Sequence, residues 1–385
     1  MQYHLGRRPF LLGALAATFG PAAAQGDAAR VASIVDSAIR PLMARHDIPG
    51  MAVGVTLAGQ RHTFGFGVAS REAGTPVTAD TLFELGSLSK TLTATLATLA
   101  QARGALSLAD APGRWLPALR GTPLDAATLL HLGTYTAGGL PLQFPDEVVD
   151  EPGAVAFLRG WKPSARPGEQ RRYSNPSIGL LGHLTALAMG RSFAELAQAE
   201  LFDALGLRRT FLRVPDAHRA AYAWGYDKAN QPIRVNPGPF DAQAYGAKSC
   251  ITDMLAFVEA NIDPAPLQPA LRRAMAATHV PHFQVGPMVQ GLGWEQYPFP
   301  VTLERLQAGN AGTMALQPQA AQPLPASAGA GPTLFNKTGS TNGFGAYAAF
   351  VPSRRAGVVL LGNRNVPVPE RIEAAHAMLL ALLPA

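Results

Sequence analysis

Residues 334–362, LFNKTGSTNGFGAYAAFVPSRRAGVVLLG, read as three consecutive β-strands. The strands are Leu334–Gly339, Phe344–Val351 and Ala356–Gly362, and Ser353-Arg354-Arg355 forms a polar turn between the last two. An amphipathic helix follows from Pro369 to Leu383. The other end of the chain mirrors this arrangement. Residues 28–46 carry Ala, Val, Ile and Leu at helical spacing, and Met51–Leu57 with Arg61–Val68 make a hairpin around Ala58-Gly59-Gln60. Between the two ends the chain is mostly helical patches separated by Pro and Gly. The predicted fold is therefore an α/β two-lobe architecture. An antiparallel sheet flanked by helices is built from residues 25–104 and 290–385, and a mainly helical lobe is inserted at 105–289. Within that lobe, residues 213–249 show little periodicity and read as a long functional loop. The Pro-, Ala- and Gln-rich stretch 317–332 reads as a surface connection.

Composition narrows the class of protein. The 385 residues are 48% hydrophobic and 15% charged, enough for a folded chain with more than one core. The net charge of +6 is spread along the sequence without basic runs, which argues against a nucleic-acid partner. Arg7-Arg8 precede the apolar stretch Pro9–Phe19, and Ala22-Ala23-Ala24 offers small residues for cleavage. Residues 1–24 thus read as a signal peptide, with a twin-arginine route as one option, and the mature chain as exported, periplasmic, soluble and without a membrane anchor. Without residues 1–24, which hold two arginines and no acid, the formal charge falls from +6 to +4. Cys250 is the only cysteine, so no internal disulfide forms and a buried structural thiol is the reading for it. With no coiled-coil pattern or unexplained apolar stripe, a monomer is expected.

Only five of the 32 basic residues are lysines, and two of them sit in suggestive company. Ser87 begins a predicted helix that Gly104 ends, and Ser87 and Lys90, three apart, share a face of it one turn apart. A serine hydroxyl needs a base to become nucleophilic, and a desolvated lysine can be neutral enough to serve. Chance alone supplies roughly one Ser-x-x-Lys in a chain of this length at average composition. Lys337-Thr338-Gly339-Ser340 falls on a predicted strand, where Lys337 and Thr338 can bind a carboxylate and Gly339 lets a substrate backbone approach. Tyr173-Ser174-Asn175 follows Pro167-Gly168. Between two lysines the phenol of Tyr173 could ionise early and act as a base, and Asn175 could hold an amide; alone, the triplet is a turn. His279-Val280-Pro281-His282 lacks a third ligand for zinc, and Gly65-Phe66-Gly67 lacks the third glycine of a dinucleotide loop. No metal and no cofactor are called for.

Together and in this order the three pieces resemble the class C serine β-lactamases, the cephalosporinases, of the β-lactamase/transpeptidase-like fold. The resemblance extends over residues 28–383, through Leu129–Leu132, Tyr135–Gln143, Asn236–Pro239, Ala244–Gly246, Gly291–Trp294 and Lys337–Thr341. It implies hydrolysis of a small-molecule β-lactam, cephalosporins above all, through an acyl-enzyme on Ser87. By the same likeness Lys90 is the proton partner and Tyr173 the general base or its associate. Lys337 orients Tyr173 and attracts the substrate carboxylate. The backbone N–H groups of Ser87 and Ser340 form the oxyanion hole, Gln143 and Asn175 hold the substrate's amide side chain, and Tyr245 lines its pocket. Thr338 and Gly339 belong to the substrate-binding strand, and Asn365 and Arg371 match positions near the carboxylate. Three departures stand out: Asn336 where many relatives have His, Val368 where some carry Asn, and the Pro/Ala-rich stretch 317–332, which can shift the strand register locally. Whether Lys90 or Tyr173 first takes the proton stays open. So do a D-alanyl-D-alanine carboxypeptidase or esterase on the same scaffold, and a sensor that is acylated without turnover.

Overall fold

The computed structural model describes residues 21–329 and 331–383, so most of the expected signal peptide lies outside the described residues. The elements that position the site are α1 (Pro21–Arg45), β1 (Gly50–Leu57), β2 (Gln60–Ser70), β3 (Phe83–Glu84), α2 (Ser89–Ala102) and α3 (Asn175–Met189). They continue with β4 (Lys248–Ser249), α4 (Ile251–Ile262), α5 (Pro269–Thr278), β5 (Glu295–Pro298), β6 (Thr333–Ser340), β7 (Gly345–Val351), β8 (Ala356–Gly362) and α6 (Val368–Leu382). A ten-stranded sheet runs, by neighbour, from Gln322–Pro323 through Phe283–Val285, Met288–Gln290, β5, β6, β7, β8, β1 and β2 to Thr75–Pro76. All the pairings in it are antiparallel. Its two edge strands each contain a proline, Pro323 and Pro76, a residue that cannot donate to a further strand.

Every residue of β7 and β8 is buried, which explains why both read as unbroken apolar runs rather than alternating ones. One face of the sheet packs with α1 and α6 around Val31, Val35, Ile372 and Met378. The opposite face packs with α4, through Leu255 and Val258, and with α2 and α5. Helix α2 lies where the sheet lobe meets the helical lobe. Its leucines join the first core, while Ala94, Ala97 and Ala100 join a third core with Leu129, Ile178 and Leu181. Ser89 through Ala100 are all buried, and each fully buried leucine contributes roughly 1.5–3 kcal/mol. The threonines of this helix are tolerated there because their hydroxyls bond carbonyls, Thr95 that of Thr91 in the preceding turn at 2.8 Å and Thr93 that of Gln243 at 2.6 Å.

The structure departs from the sequence expectation at three places. Strands Phe283–Val285 and Met288–Gln290 and helix α4 join or pack on the sheet, so the sheet lobe begins well before residue 290. Three-residue strands are too short to show alternation, which hid them. The expected surface connection contributes an edge strand at Gln322–Pro323. Ser87 does not begin the helix itself. It sits in a 3₁₀ turn, Gly86–Leu88, after which α2 starts at Ser89.

Candidate active site

The turn that carries Ser87 is held against the sheet by two glycines. Gly86 has φ of +51°, a left-handed conformation, and the space for a Cβ on it is occupied by the backbone of Ser340. Gly339 is pressed equally closely on the carbonyl of Leu85, and a Cβ there would lie 2.9 Å from the Leu88 nitrogen. The nucleophile segment and the end of β6 are therefore in direct backbone contact. Arg371 of α6 stands behind that contact. Its guanidinium is fully buried and donates to the carbonyls of Gly339 and Ala346 and to Ser340 Oγ at 2.8 Å. Burial lowers its pKa to about 10. Arg371 thus braces the end of β6 from behind, in contact with Ser340, which borders the cleft.

Lys90 reaches back along α2 by one turn. Its Nζ lies 2.9 Å from Ser87 Oγ and donates to the carbonyl of Ala244 at 2.7 Å. The ammonium is wholly buried, and burial is the main reason its pKa falls from 10.5 to about 8. Tyr173 raises it in part, and the nearby Lys337 cation lowers it further.

Tyr173 enters from the segment before α3. Ser174 caps that helix by accepting the Ser177 N–H at 3.0 Å, which explains why a serine sits between Tyr173 and Asn175. The Nζ atoms of Lys90 and Lys337 each stand 5.1 Å from the centre of the Tyr173 ring, and the Arg171 guanidinium 5.3 Å from it. The Tyr173 hydroxyl is buried and finds no hydrogen-bond partner among the described residues. Burial alone would raise the pKa of this phenol, but the two ammonium groups of Lys337 and Lys90 overcome it and the pKa is lowered. Lys337 behaves oppositely to Lys90. Burial works against its charge, yet the Glu295 carboxylate, with Oε1 at 3.2 Å, and Tyr173 raise its pKa, so it remains an ammonium.

Four of the residues singled out from sequence, Ser87, Lys90, Tyr173 and Lys337, are thus gathered at one place. Gln143, Asn175, Tyr245, Ser340 and Asn365 line a cleft of about 680 Å³ that opens beside Ser87. The Asn175 Oδ1 there has no hydrogen-bond partner among the described residues. A second recess of about 180 Å³ lies on the other side, lined by Lys337, Thr338, Gly339 and Val368. Ser87, Tyr173 and Ser340 border both, so the nucleophile stands between two binding spaces.

The sequence reading missed two charged members of this site. Glu295 on β5 holds Lys337, and Arg171 lies 3.8 Å from the same carboxylate while bonding Gln290 Oε1 at 2.7 Å and the Met314 carbonyl at 2.6 Å. Glu295 directly follows the Gly291–Trp294 stretch that carried the resemblance, and Arg171 lies two residues before Tyr173; those adjacencies were the available signal. Such a site can activate a hydroxyl, accept and return a proton over a short path, and hold an anion beside an ammonium.

Comparison with known proteins points to one family. The family described as Beta-lactamase matches residues 35–383. A beta-lactamase of Pseudomonas fluorescens is 49% identical over 353 residues, covering 91% of this chain and 99% of the relative. Among solved structures, a beta-lactamase/D-alanine carboxypeptidase from Pseudomonas syringae superposes with a TM-score of 0.89 at 44% identity, covering 92% of this chain and 99% of that one. A class C beta-lactamase in complex with cefoxitin superposes with a TM-score of 0.88 at 40% identity, covering 92% and 99% of the two chains.

Proposed function

This chain belongs to the beta-lactamase family and is a class C serine β-lactamase, and from that premise we propose that it opens the lactam ring through a covalent acyl-enzyme on Ser87. The observation that carries the assignment is the 2.9 Å contact between Ser87 Oγ and Lys90 Nζ, an amine whose pKa of about 8 leaves a usable neutral fraction near neutrality.

Ser87 Oγ attacks the lactam carbonyl carbon while its proton passes to the Lys90–Tyr173 pair. The carbonyl oxygen, now anionic, is held by the backbone N–H groups of Ser87 and Ser340; the close contact of Gly86 with Ser340 supports this pairing. Collapse breaks the carbon–nitrogen bond, and the proton held by the pair goes to the departing nitrogen. That leaves an ester on Ser87. A water then gives up its proton, in our reading to the Tyr173 phenolate, attacks the ester carbonyl and releases the open acid, with the proton restored to Ser87. Lys337, kept cationic by Glu295, holds the substrate carboxylate and keeps the Tyr173 pKa low. Gln143, Asn175 and Tyr245 receive the acyl side chain in the larger cleft.

Cephalosporins are the preferred substrates in this proposal, supported by the relative in complex with cefoxitin and by the size of the cleft. A second reading, cleavage of D-alanyl-D-alanine peptides, is favoured by the relative described as both beta-lactamase and D-alanine carboxypeptidase. We also place the mature chain in the periplasm, on the Arg7–Ala24 pattern, and as a monomer. The exposed large apolar side chains Val149, Leu187, Trp224, Leu316 and Leu380 lie far apart along the chain, in different helices and loops, which supports the latter. No helix among the described residues is long and apolar enough to cross a membrane. Steady hydrolysis of a chromogenic cephalosporin by the purified chain, with an acyl adduct on Ser87 seen by mass spectrometry, is the expected result. A single stoichiometric burst would point to a sensor, and peptide or ester cleavage without lactam turnover to the peptidase.

A further inference from the structure

Glu84 is a buried carboxylate that the catalytic scheme does not use. It lies on β3, three residues before Ser87, and is only 2% exposed. Three donors converge on its two oxygens. Oε1 accepts from the Tyr222 hydroxyl at 2.5 Å and from the Val235 N–H at 2.8 Å, and Oε2 accepts from the Thr341 hydroxyl at 2.6 Å. Its cross-strand neighbour, Lys248, makes no ion pair with it; that ammonium bonds the carbonyls of Leu212 and Gly246 at 3.3 and 2.7 Å. The charge of Glu84 is therefore met by hydrogen bonds that tie separate segments together.

Those segments are the walls of the larger cleft. Val235 belongs to the long loop, Thr341 follows the end of β6, and both line the cleft beside Ser87. Tyr222 anchors the start of the same loop. We infer that Glu84 is a positioning residue that fixes the loop wall relative to Ser87 and so sets which acyl side chains the cleft accepts. The inference rests on the reading of that cleft as the acyl side-chain site. A second consequence concerns polarity. Thr341 commits its hydroxyl proton to Glu84, so it turns only lone pairs toward the cleft, where a substrate N–H or O–H is accepted and a carboxylate repelled.

Glu84→Gln keeps the volume but changes the bonding. The amide oxygen can still take the Val235 N–H, while the new NH₂ faces Thr341 and forces its hydroxyl to reverse. With the wall loosened, a cephalosporin with a large acyl side chain loses binding in ground and transition states alike. Its KM rises about tenfold and its kcat changes less than about threefold, whereas an otherwise similar substrate with an acetyl side chain shows a KM change below about threefold. A disturbance of the nucleophile turn would instead lower kcat for both substrates, and either that pattern or unchanged KM values would overturn the inference. Should Glu84→Gln fail to fold, Tyr222→Phe removes one donor from outside the cleft. It is expected to raise KM for the large substrate alone, and a KM that is unchanged, or that changes by the same factor for both substrates, would count against the role. A wild-type chain that turns over no lactam would undo the underlying function, not this role for Glu84.

Discussion

Gly86 lies so close to Ser340 that a Cβ on the glycine would stand 2.6 Å from the Ser340 carbonyl oxygen. The two backbone segments proposed to hold the oxyanion are thus in contact at a position where a side chain would separate them.

Gly86→Ala is accordingly expected to cost more than the strain of its positive φ. The collision is with backbone, which cannot rotate aside, so the Ser87 turn and the end of β6 must move apart. A displacement near 1 Å at reacting groups lowers turnover by on the order of a hundredfold. We expect that loss in kcat for the variant, measured on a chromogenic cephalosporin. Near-wild-type turnover in a folded Gly86→Ala protein would show that the Gly86–Ser340 contact does not set catalytic geometry.

Lys337→Met tests the electrostatics around Tyr173. The Lys337 ammonium lowers the pKa of both Tyr173 and Lys90. Its removal raises both, whichever of the two takes the Ser87 proton. The free enzyme needs that group deprotonated, so the acid limb of kcat/KM moves to higher pH in the variant. KM also rises as the anchor for the substrate carboxylate goes. An acid limb that stays in place would mean that Lys337 acts on substrate alone.

Much of this organisation was written where a sequence can be read. Strands β7 and β8 were legible because helices cover both their faces and every position had to be apolar. The Ser87–Lys90 pairing was legible from helical spacing, although the turn at Gly86 displaced Ser87 from the helix proper. Tyr173 and Asn175 could be found only by resemblance, since Tyr-Ser-Asn has no pattern of its own. Arg171, Glu295 and Glu84 were not found. Each is a single charged residue on a two- to four-residue strand, and its role depends on partners between 42 and 257 positions away. Arg371 was found by resemblance, but its bracing of β6 was not, since only the packing of α6 behind β6 shows that it is buried against Gly339 and Ala346.

Lys90→Met is expected to be inactive and more stable than the wild type. Moving the pKa of a fully buried amine from 10.5 to about 8 means that its charged form destabilises the fold at neutral pH. That term is roughly 3 kcal/mol, against about 1 kcal/mol for the lost bond to Ala244. A net gain of about 1–2 kcal/mol follows, read as a higher urea midpoint. The sign also fixes a pH dependence. Between about pH 8 and 10.5 the unfolded chain holds this proton and the folded one does not, so wild-type stability rises with pH there and the advantage of the variant shrinks. A variant no more stable than wild type at neutral pH would show that Lys90 is not destabilising where it stands.

The histidines set aside as metal ligands have a consequence for acid stability. His279 packs on the rings of Phe335 and Phe350, with centroids 4.3 and 5.6 Å away, and shares a hydrogen bond with Asn261 at 3.0 Å. Burial lowers its pKa from 6.5 to about 4, and that of His282 likewise. Both are neutral when folded, whereas the unfolded chain takes up their protons as pH drops below 6.5. Stability therefore falls from about pH 6.5 to pH 4, by roughly 2–3 kcal/mol for each histidine at the acid end. His279→Gln keeps a donor for Asn261 but cannot titrate. Its unfolding free energy should decline less steeply across that window, by the share of one proton, in urea melts at a series of pH values. An identical slope in variant and wild type would mean that His279 is charged, or free to become so, inside the folded protein.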